Sequence, residues 1–539
     1  MNNYKILKNL DNVKKGKIGE EIARRYLVLI GMKIICSNYK TKFGEIDIIA
    51  KLENKIVFIE VKSRTSKDYG LACEAVDYKK IGKITSVANH YLLTNNIKNC
   101  EIRFDAVSYT HLDIIITGFA LFAMFFGAGN LIFPPYLGVI TGDKFLIGFL
   151  GFIIADVGLS LLAILASAKS DGDTGRVFGR AGKLFAIILG SAIMICLGPL
   201  LAIPRTAATT FEMGIIPLIP GFNAVLFSTI FFAITLALTI KPSKVVDIIG
   251  SYLTPALLVC LLALIVIGII NPIGNLNDAA IENVFSEGIL QGYQTLDALG
   301  AICLSAVLIK SLVQKGYKRE KDRVNILLKA GFIAALGLAL VYGGLTYLGA
   351  TVSTQYGVDV SQSALIVAIT VALLGTPGKV VLSLIVTLAC LTTAIGLTSA
   401  TAEYFSGLTK NKLKYEHIVI AVCLLSLVIS TLGVGAIIKI SAPILSLIYP
   451  ATIVLIVMTI FNKYVNNDNI VKGATYVALL MGIFMAAKDL GVNISFIDSL
   501  PFASLGFCWL VPTIIGGGIG AFIKTSKTNS DEESKEIAV

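Results

Sequence analysis

From Ile114 onward, apolar stretches follow one another with only short polar gaps. A helix needs about 20 apolar residues to cross the hydrocarbon core of a bilayer. Twelve segments of that kind run over residues 114–139, 145–168, 184–211, 221–240, 245–270, 289–309, 326–350, 377–404, 415–432, 437–461, 472–488 and 504–523. A further apolar stretch at 361–375 is shorter and reads as a re-entrant or surface helix. No soluble globule accommodates this pattern. With 55% hydrophobic and 15% charged residues, against about a quarter charged in soluble proteins, the chain has too little polar surface to cover a globule, and disorder is excluded as well.

The charge lies mostly at one end. Residues 1–108 contain 20 Lys and Arg against 12 Asp and Glu, and so hold +8 of the net +11. The organisation expected is a small basic soluble domain at 1–108, a junction at 109–113, a membrane domain at 114–523 and a polar tail at 524–539. The nine cysteines are scattered with no CxxC, and there are only three histidines, which argues against a disulfide framework or a His-rich metal site. The N-terminus lacks the apolar run of a signal peptide.

Loops after even-numbered segments are rich in Lys and Arg, whereas those after odd-numbered ones hold isolated cations such as Lys144, Arg205, Lys379, Lys439 and Lys488. The positive-inside rule then places both termini in the cytoplasm.

Two segments are irregular. The first contains FFGAGNLIFPPYLG, in which Gly127 and Gly129 flank Ala128, Asn130 follows, and Pro134-Pro135 is expected to break any helix. The two glycines alone also fit a packing notch, but with the prolines and the asparagine they predict an unwound segment lining a cavity. The sixth segment holds Gly292, Tyr293, Thr295, Asp297 and Gly300. A carboxylate at that depth is costly and faces a partner, an ion or a cavity. Asp156 in the second segment raises the same question; with no helix break beside it, it reads as a buried structural partner. Interrupted helices five segments apart are the mark of a five-plus-five inverted repeat with a substrate site at the midplane. Transport, by helices that rock against each other, is the function this predicts.

FFGAGNLIFPP, GYQTLDALGA and the twelve-segment length resemble the branched-chain amino acid:cation symporter family (BrnQ-type) over about residues 113–523. The resemblance implies a LeuT-like fold and uptake of leucine, isoleucine and valine with Na⁺, or with H⁺ carried on Asp297, across a bacterial plasma membrane. It implies that the substrate meets the freed N–H groups of Gly127, Ala128 and Gly129, with Tyr293 and Asp297 also lining its site. The coupling cation would be held by Asn130, Thr295 and Asp297, and at a second position by Ala389, Thr392 and Thr393. Thr392 and Thr393 equally fit hydroxyls bonded to their own helix.

In the first hundred residues, Ile22, Ala23, Tyr26, Leu27 and Ile30 lie on one helical face. FGEIDIIA and KIVFIEVKSR read as a hairpin turning at Glu53-Asn54. If Leu52 pairs with Lys55, Asp47 falls opposite Glu60, and Lys62 projects from the same face as Glu60. Paired carboxylates suit Mg²⁺, and a lysine beside the metal suits phosphate-ester chemistry. The triplet also fits a solvated face with a cross-strand ion pair worth under about 1 kcal/mol. The stretch resembles the YraN family of nuclease-like proteins, with a restriction-endonuclease-like α/β fold. That resemblance implies catalytic roles for Asp47, Glu60 and Lys62, with Glu20 as a further metal-side carboxylate, and a nucleic-acid partner. The SYTHLD peptide at Ser108–Asp113 resembles a translated sequencing-adapter remnant, so the junction reads as two unrelated genes joined by assembly, the alternative being a genuine fusion with a short connector.

Overall fold

The computed structural model describes residues 20–523, apart from 21–22, 25–26, 29–30, 53–54, 63–77, 98–99, 241–257, 315–316, 318 and 466. Gly19, Ile22, Tyr26, Ile30, the Glu53-Asn54 turn and the 524–539 tail lie outside the described residues. The chain divides into two compact units, Met1–Thr117 with Ser311–Ile326, and Gly118–Lys310 with Leu327–Val539.

In the first unit, β1 (Lys33–Thr41), β2 (Gly44–Leu52), β3 (Lys55–Lys62) and β4 (Glu101–Ser108) form one sheet in the order β1-β2-β3-β4. The first two pairings are antiparallel and β3–β4 is parallel, the crossover being made through α1 (Tyr78–Thr94). Side chains alternate across a strand, so each sheet face has its own core. Val57 and Ile59 pack with Ala23 and Leu27 on one face, while Ile56 and Phe58 pack with Val87 and Tyr91 on the other. The hairpin register is the predicted one, from Leu52↔Lys55 to Ile48↔Ile59.

No loop follows β4: helix α2 (Tyr109–Phe125) begins at the next residue. The second unit is helical. Its elements are α3 (Ala128–Thr141), α4 (Phe145–Ile153), α5 (Leu159–Lys169), α6 (Thr174–Gly179), α7 (Lys183–Ile195), α8 (Ala202–Thr209), α9 (Ala224–Ile240), α10 (Leu258–Ile270), α11 (Val284–Gln294), α12 (Asp297–Gln314), α13 (Glu320–Ala350), α14 (Gln362–Leu408), α15 (Tyr415–Ser430), α16 (Val434–Ile460), α17 (Asp468–Asp489) and α18 (Leu510–Phe522). Among the described residues, six helical stretches are long and apolar enough to cross a membrane, and four more are apolar but shorter.

The surface confirms the solvent. Leu328, Phe332, Leu336 and Leu340 recur every four residues along α13 and are 53–71% exposed. A stripe of that size in water would be an aggregation liability; against lipid it is the expected face. This is a multi-pass membrane protein.

Small residues let the helices approach. Gly288 and Gly292 of α11 form a Gly-x-x-x-Gly notch that meets Gly148 and Gly151 of α4 and Ala155 just beyond it. A Cβ on Gly288 would fall inside the Gly148 carbonyl oxygen, and one on Gly292 would lie 2.8 Å from the Ala155 Cβ. Such contacts replace the hydrophobic drive that lipid does not supply. They also set Asp156 beside the end of α11.

Three expectations need correction. Pro134 and Pro135 lie inside α3, which continues through them; the break falls earlier, at Phe126-Gly127. The rings cost the carbonyls of Asn130 and Leu131 their N–H donors four residues on, yet the chain stays helical. Asp156 is accompanied by a helix irregularity after all, a π-turn over Ile154–Gly158 that joins α4 to α5. Arg205 is no loop cation; it is buried within α8, 4% exposed.

Candidate substrate and cation site

The first break comes from glycine. Gly127 is extended (φ −116°, ψ −171°) and caps α3, its N–H donating to Asn130 Oδ1 at 3.2 Å. The N–H groups of Ala128, Gly129 and Asn130 have no acceptor within the helix, so this end carries partial positive charge.

The second break lies between α11 and α12 at Thr295-Leu296. Leu296 is buried in the left-handed region at φ +70°, a conformation costing a branched side chain about 1 kcal/mol or more. Asp297, half-buried, stands in the first turn of α12, where the helix dipole favours a carboxylate.

One side chain joins the two breaks. Asn130 Nδ2 donates to Asp297 Oδ2 at 2.7 Å and lies 2.5 Å from the Tyr342 hydroxyl of α13. The Thr295 hydroxyl lies 2.7 Å from both the Gly292 carbonyl and Asp156 Oδ1, and its one proton serves one acceptor at a time. Asp156 is 1% exposed.

Arg205 fixes the same place from α8. Its Nη1 donates to the Gln294 carbonyl at 2.6 Å and its Nη2 to the Thr295 carbonyl at 3.2 Å. It thus satisfies acceptors that the end of α11 leaves open. The guanidinium lies over the Phe133 ring at 5.4 Å, and a Cβ on Gly129 would stand 3.0 Å from Nη2. Glycine at 129 thus leaves room for the guanidinium beside the start of α3. On the other side, Tyr293 stacks on Tyr449 at 4.1 Å, and the Tyr449 hydroxyl donates to the Tyr293 carbonyl at 3.1 Å. A cavity of about 840 Å³ reaches Tyr293 and Gln294.

The structure thus gathers Gly127, Ala128, Gly129, Asn130, Tyr293, Thr295 and Asp297 around the breaks. Thr392 and Thr393 of α14 both donate to the Ala389 carbonyl, at 2.9 and 3.0 Å. Among the described residues no hydrogen bond joins them to Asn130, Thr295 or Asp297. Sequence reasoning missed Arg205 and Tyr342 as parts of the site.

In the first unit, Asp47 lies one residue past the end of the β2–β3 ladder, and its Oδ2 accepts the Val61 N–H at 2.6 Å. Burial pushes its carboxyl up from an ordinary 3.8 to about 6; the Val61 bond opposes this, and Glu60, Glu20 and Glu45 add to it. Glu20 accepts the Asn38 amide at 2.7 Å. The Lys62 side chain lies outside the described residues. Among the described residues no group of three or more His, Cys, Asp or Glu side chains is placed to hold a metal.

Two families match the chain in succession. Residues 19–109 match the uncharacterised protein family UPF0102, and residues 110–527 match the family described as branched-chain amino acid transport protein. The branched-chain amino acid permease BraB of Bacillus subtilis is 37% identical over 445 residues, covering 79% of this chain and 98% of the relative. Permease BrnQ of the same organism is 32% identical over 431 residues, covering 77% and 98%. The match therefore takes in almost all of each permease and leaves a fifth of this chain outside it. Among solved structures, the nucleobase-cation-symport-1 family transporter Mhp1 in a closed conformation superposes with a TM-score of 0.53 at 13% identity, over 78% of this chain and 96% of its own. Its inward-facing conformation gives 0.51 at 13% identity, over 78% and 94%. The helical unit therefore has the LeuT-type fold, and with 418 of its residues (527 − 110 + 1) inside one family, the chain belongs to the branched-chain amino acid transport proteins.

Proposed function

We propose that this chain imports leucine, isoleucine and valine with Na⁺ by alternating access, through twelve membrane crossings with both termini in the cytoplasm. The observation that carries this reading is the Asn130–Asp297 hydrogen bond, which ties the two helix breaks together. The substrate carboxylate lies at the N-terminus of α3, facing the N–H groups of Ala128 and Gly129; the ammonium faces Asp297. The relatives' permease names support the substrate class. Because Asn130 donates its amide to Asp297 while Gly127 takes its oxygen, Asn130 meets a cation only after its amide rotates. Asn130→Ala is then expected to raise the Na⁺ concentration for half-maximal leucine uptake at least fivefold in membrane vesicles. Uptake driven equally well by a pH gradient without Na⁺ would replace sodium by protons.

For the first unit, we propose a weak Mg²⁺ or Mn²⁺ site on Asp47 and Glu60. Two carboxylates suffice for a cation that keeps most of its waters. Asp47 supports the reading, since a buried carboxyl raised to about 6 beside three other carboxylates is one that a cation relieves. The sign is definite. Protonation of Asp47 is favoured in the folded state, so its contribution to stability falls as pH rises from about 4 through 6. Mg²⁺ is expected to raise the melting temperature of this unit above pH 6 and to do nothing at pH 4.5. Asp47→Asn removes the Mg²⁺ effect and Lys62→Ala keeps it. A melting temperature indifferent to millimolar Mg²⁺ at pH 7.5 would leave Asp47 a structural acceptor for Val61.

A further inference from the structure

We propose that Asp156 is a direct ligand of the coupling Na⁺, which it holds between its own carboxylate and that of Asp297; this rests on the Na⁺-coupled reading above. Asp156 sits in the π-turn of Ile154–Gly158, a wider turn that is frequent at functional sites. Its Oδ1 faces the Thr295 hydroxyl, but its Oδ2 is buried with no hydrogen-bond donor. Asp297 stands across the Thr295 hydroxyl from it: the Asp297 N–H faces that hydroxyl at 3.4 Å, and the hydroxyl lies 2.7 Å from Asp156 Oδ1. A buried carboxylate oxygen without a donor, beside a second carboxylate, is a costly arrangement for a merely structural residue. Buried charges are normally paired or bound to a metal.

Charge counting narrows the ligand. The nearest cation is Arg205, whose two Nη atoms are spent on the Gln294 and Thr295 carbonyls. Among the described residues no ion pair joins it to either aspartate. Two ionised carboxylates and one guanidinium sum to −1, so one further +1 balances the site, whether Na⁺ or a proton, and a divalent ion overshoots it; the exchange of Na⁺ for K⁺ below separates the first two. The side chains around Thr295 offer mainly oxygens: the Asp156 and Asp297 carboxylates and the Thr295 hydroxyl, with the Asn130 amide nitrogen between Asp297 and the Tyr342 hydroxyl. Oxygen donors suit a hard cation such as Na⁺. The Gly288–Gly292 notch, which holds Asp156 against Thr295, also makes the site depend on how the broken sixth segment sits. That is what coupling requires.

The test uses the full-length protein in detergent, without leucine, with NaCl exchanged for KCl at constant ionic strength. Wild type is expected to gain thermal stability with Na⁺ and not with K⁺. Asp156→Asn is expected to raise the Na⁺ concentration for half-maximal stabilisation at least tenfold. In K⁺ its melting temperature should equal or exceed that of wild type, because an unpaired buried charge has gone; a structural role would lower it. Asp156→Glu, which keeps the carboxylate one methylene further out, should shift the Na⁺ constant at least threefold and decides the matter if Asp156→Asn does not fold. A wild-type Na⁺ constant in either folded variant, or no Na⁺-specific stabilisation of the wild type, overturns the proposal. Since leucine is absent, failure of leucine transport would show separately.

Discussion

Vesicles carrying Asp297→Asn are expected to lose concentrative leucine uptake, at least a hundredfold below wild type, with the protein still present in the membrane at the wild-type level. Asparagine keeps the shape of aspartate, so packing is not the reason. The substitution takes away the negative charge that faces Arg205's side of the site, while the amide oxygen of asparagine can still accept from Asn130 Nδ2. The loss of charge is therefore the cause tested. A carboxylate at mid-membrane depth costs about 3 kcal/mol on insertion scales, so the variant inserts at least as readily as wild type. Initial rate and steady-state accumulation, normalised by quantitative immunoblot, check this. Wild-type accumulation would remove Asp297 from the mechanism.

Gly288→Val is expected to act through a different cause and nearly as strongly. Any Cβ at 288 collides with the backbone carbonyl of Gly148, and no rotamer change moves a backbone atom aside. The two helices must separate, which costs about 3 kcal/mol or more by analogy with overpacked cores. It also withdraws Asp156 from Thr295. The expected outcome is at least a tenfold loss of transport together with a lower melting temperature in detergent, whereas Asp297→Asn loses transport alone. Gly396→Ala, with nothing within 4 Å of its Cβ, serves as the neutral control. Full activity of Gly288→Val would mean that the close approach of α4 and α11 is not needed for the site.

What could be read in the sequence follows from which physical signals are local. Gly127 announces the first break because glycine is a poor helix former; the lone Asp297 announces the second because a charge at that depth needs a purpose. The hairpin register followed from a two-residue turn alone and holds through Ile48↔Ile59. Partners across the fold left no local trace. Arg205 looked like a loop cation because a hydropathy average cannot tell a charge in water from one capping carbonyls 90 residues away. Tyr342 is one tyrosine among nineteen, set apart only by the Asn130 amide 212 residues earlier. The π-turn at Asp156 ends on Gly158, and one glycine without a proline does not distinguish a wide turn from regular helix. Pro134 and Pro135 erred the other way: a strong local breaker was overridden by packing, with Pro135 lying where a Cβ on Gly349 would strike its carbonyl.

The claim that the two broken helices couple branched-chain amino acid import to Na⁺ is tested most directly by leucine accumulation in proteoliposomes of the full-length protein. One Na⁺ entering down about 100 mV yields roughly 2.3 kcal/mol, and a tenfold Na⁺ gradient adds about 1.4 kcal/mol. With one ion per leucine, internal leucine is expected to rise a few-hundredfold above external, to collapse when a Na⁺ ionophore is added, and to stay at equilibrium in K⁺ buffer. Leucine that only equilibrates under the Na⁺ gradient, or accumulates as well under a pH gradient in Na⁺-free buffer, would contradict it.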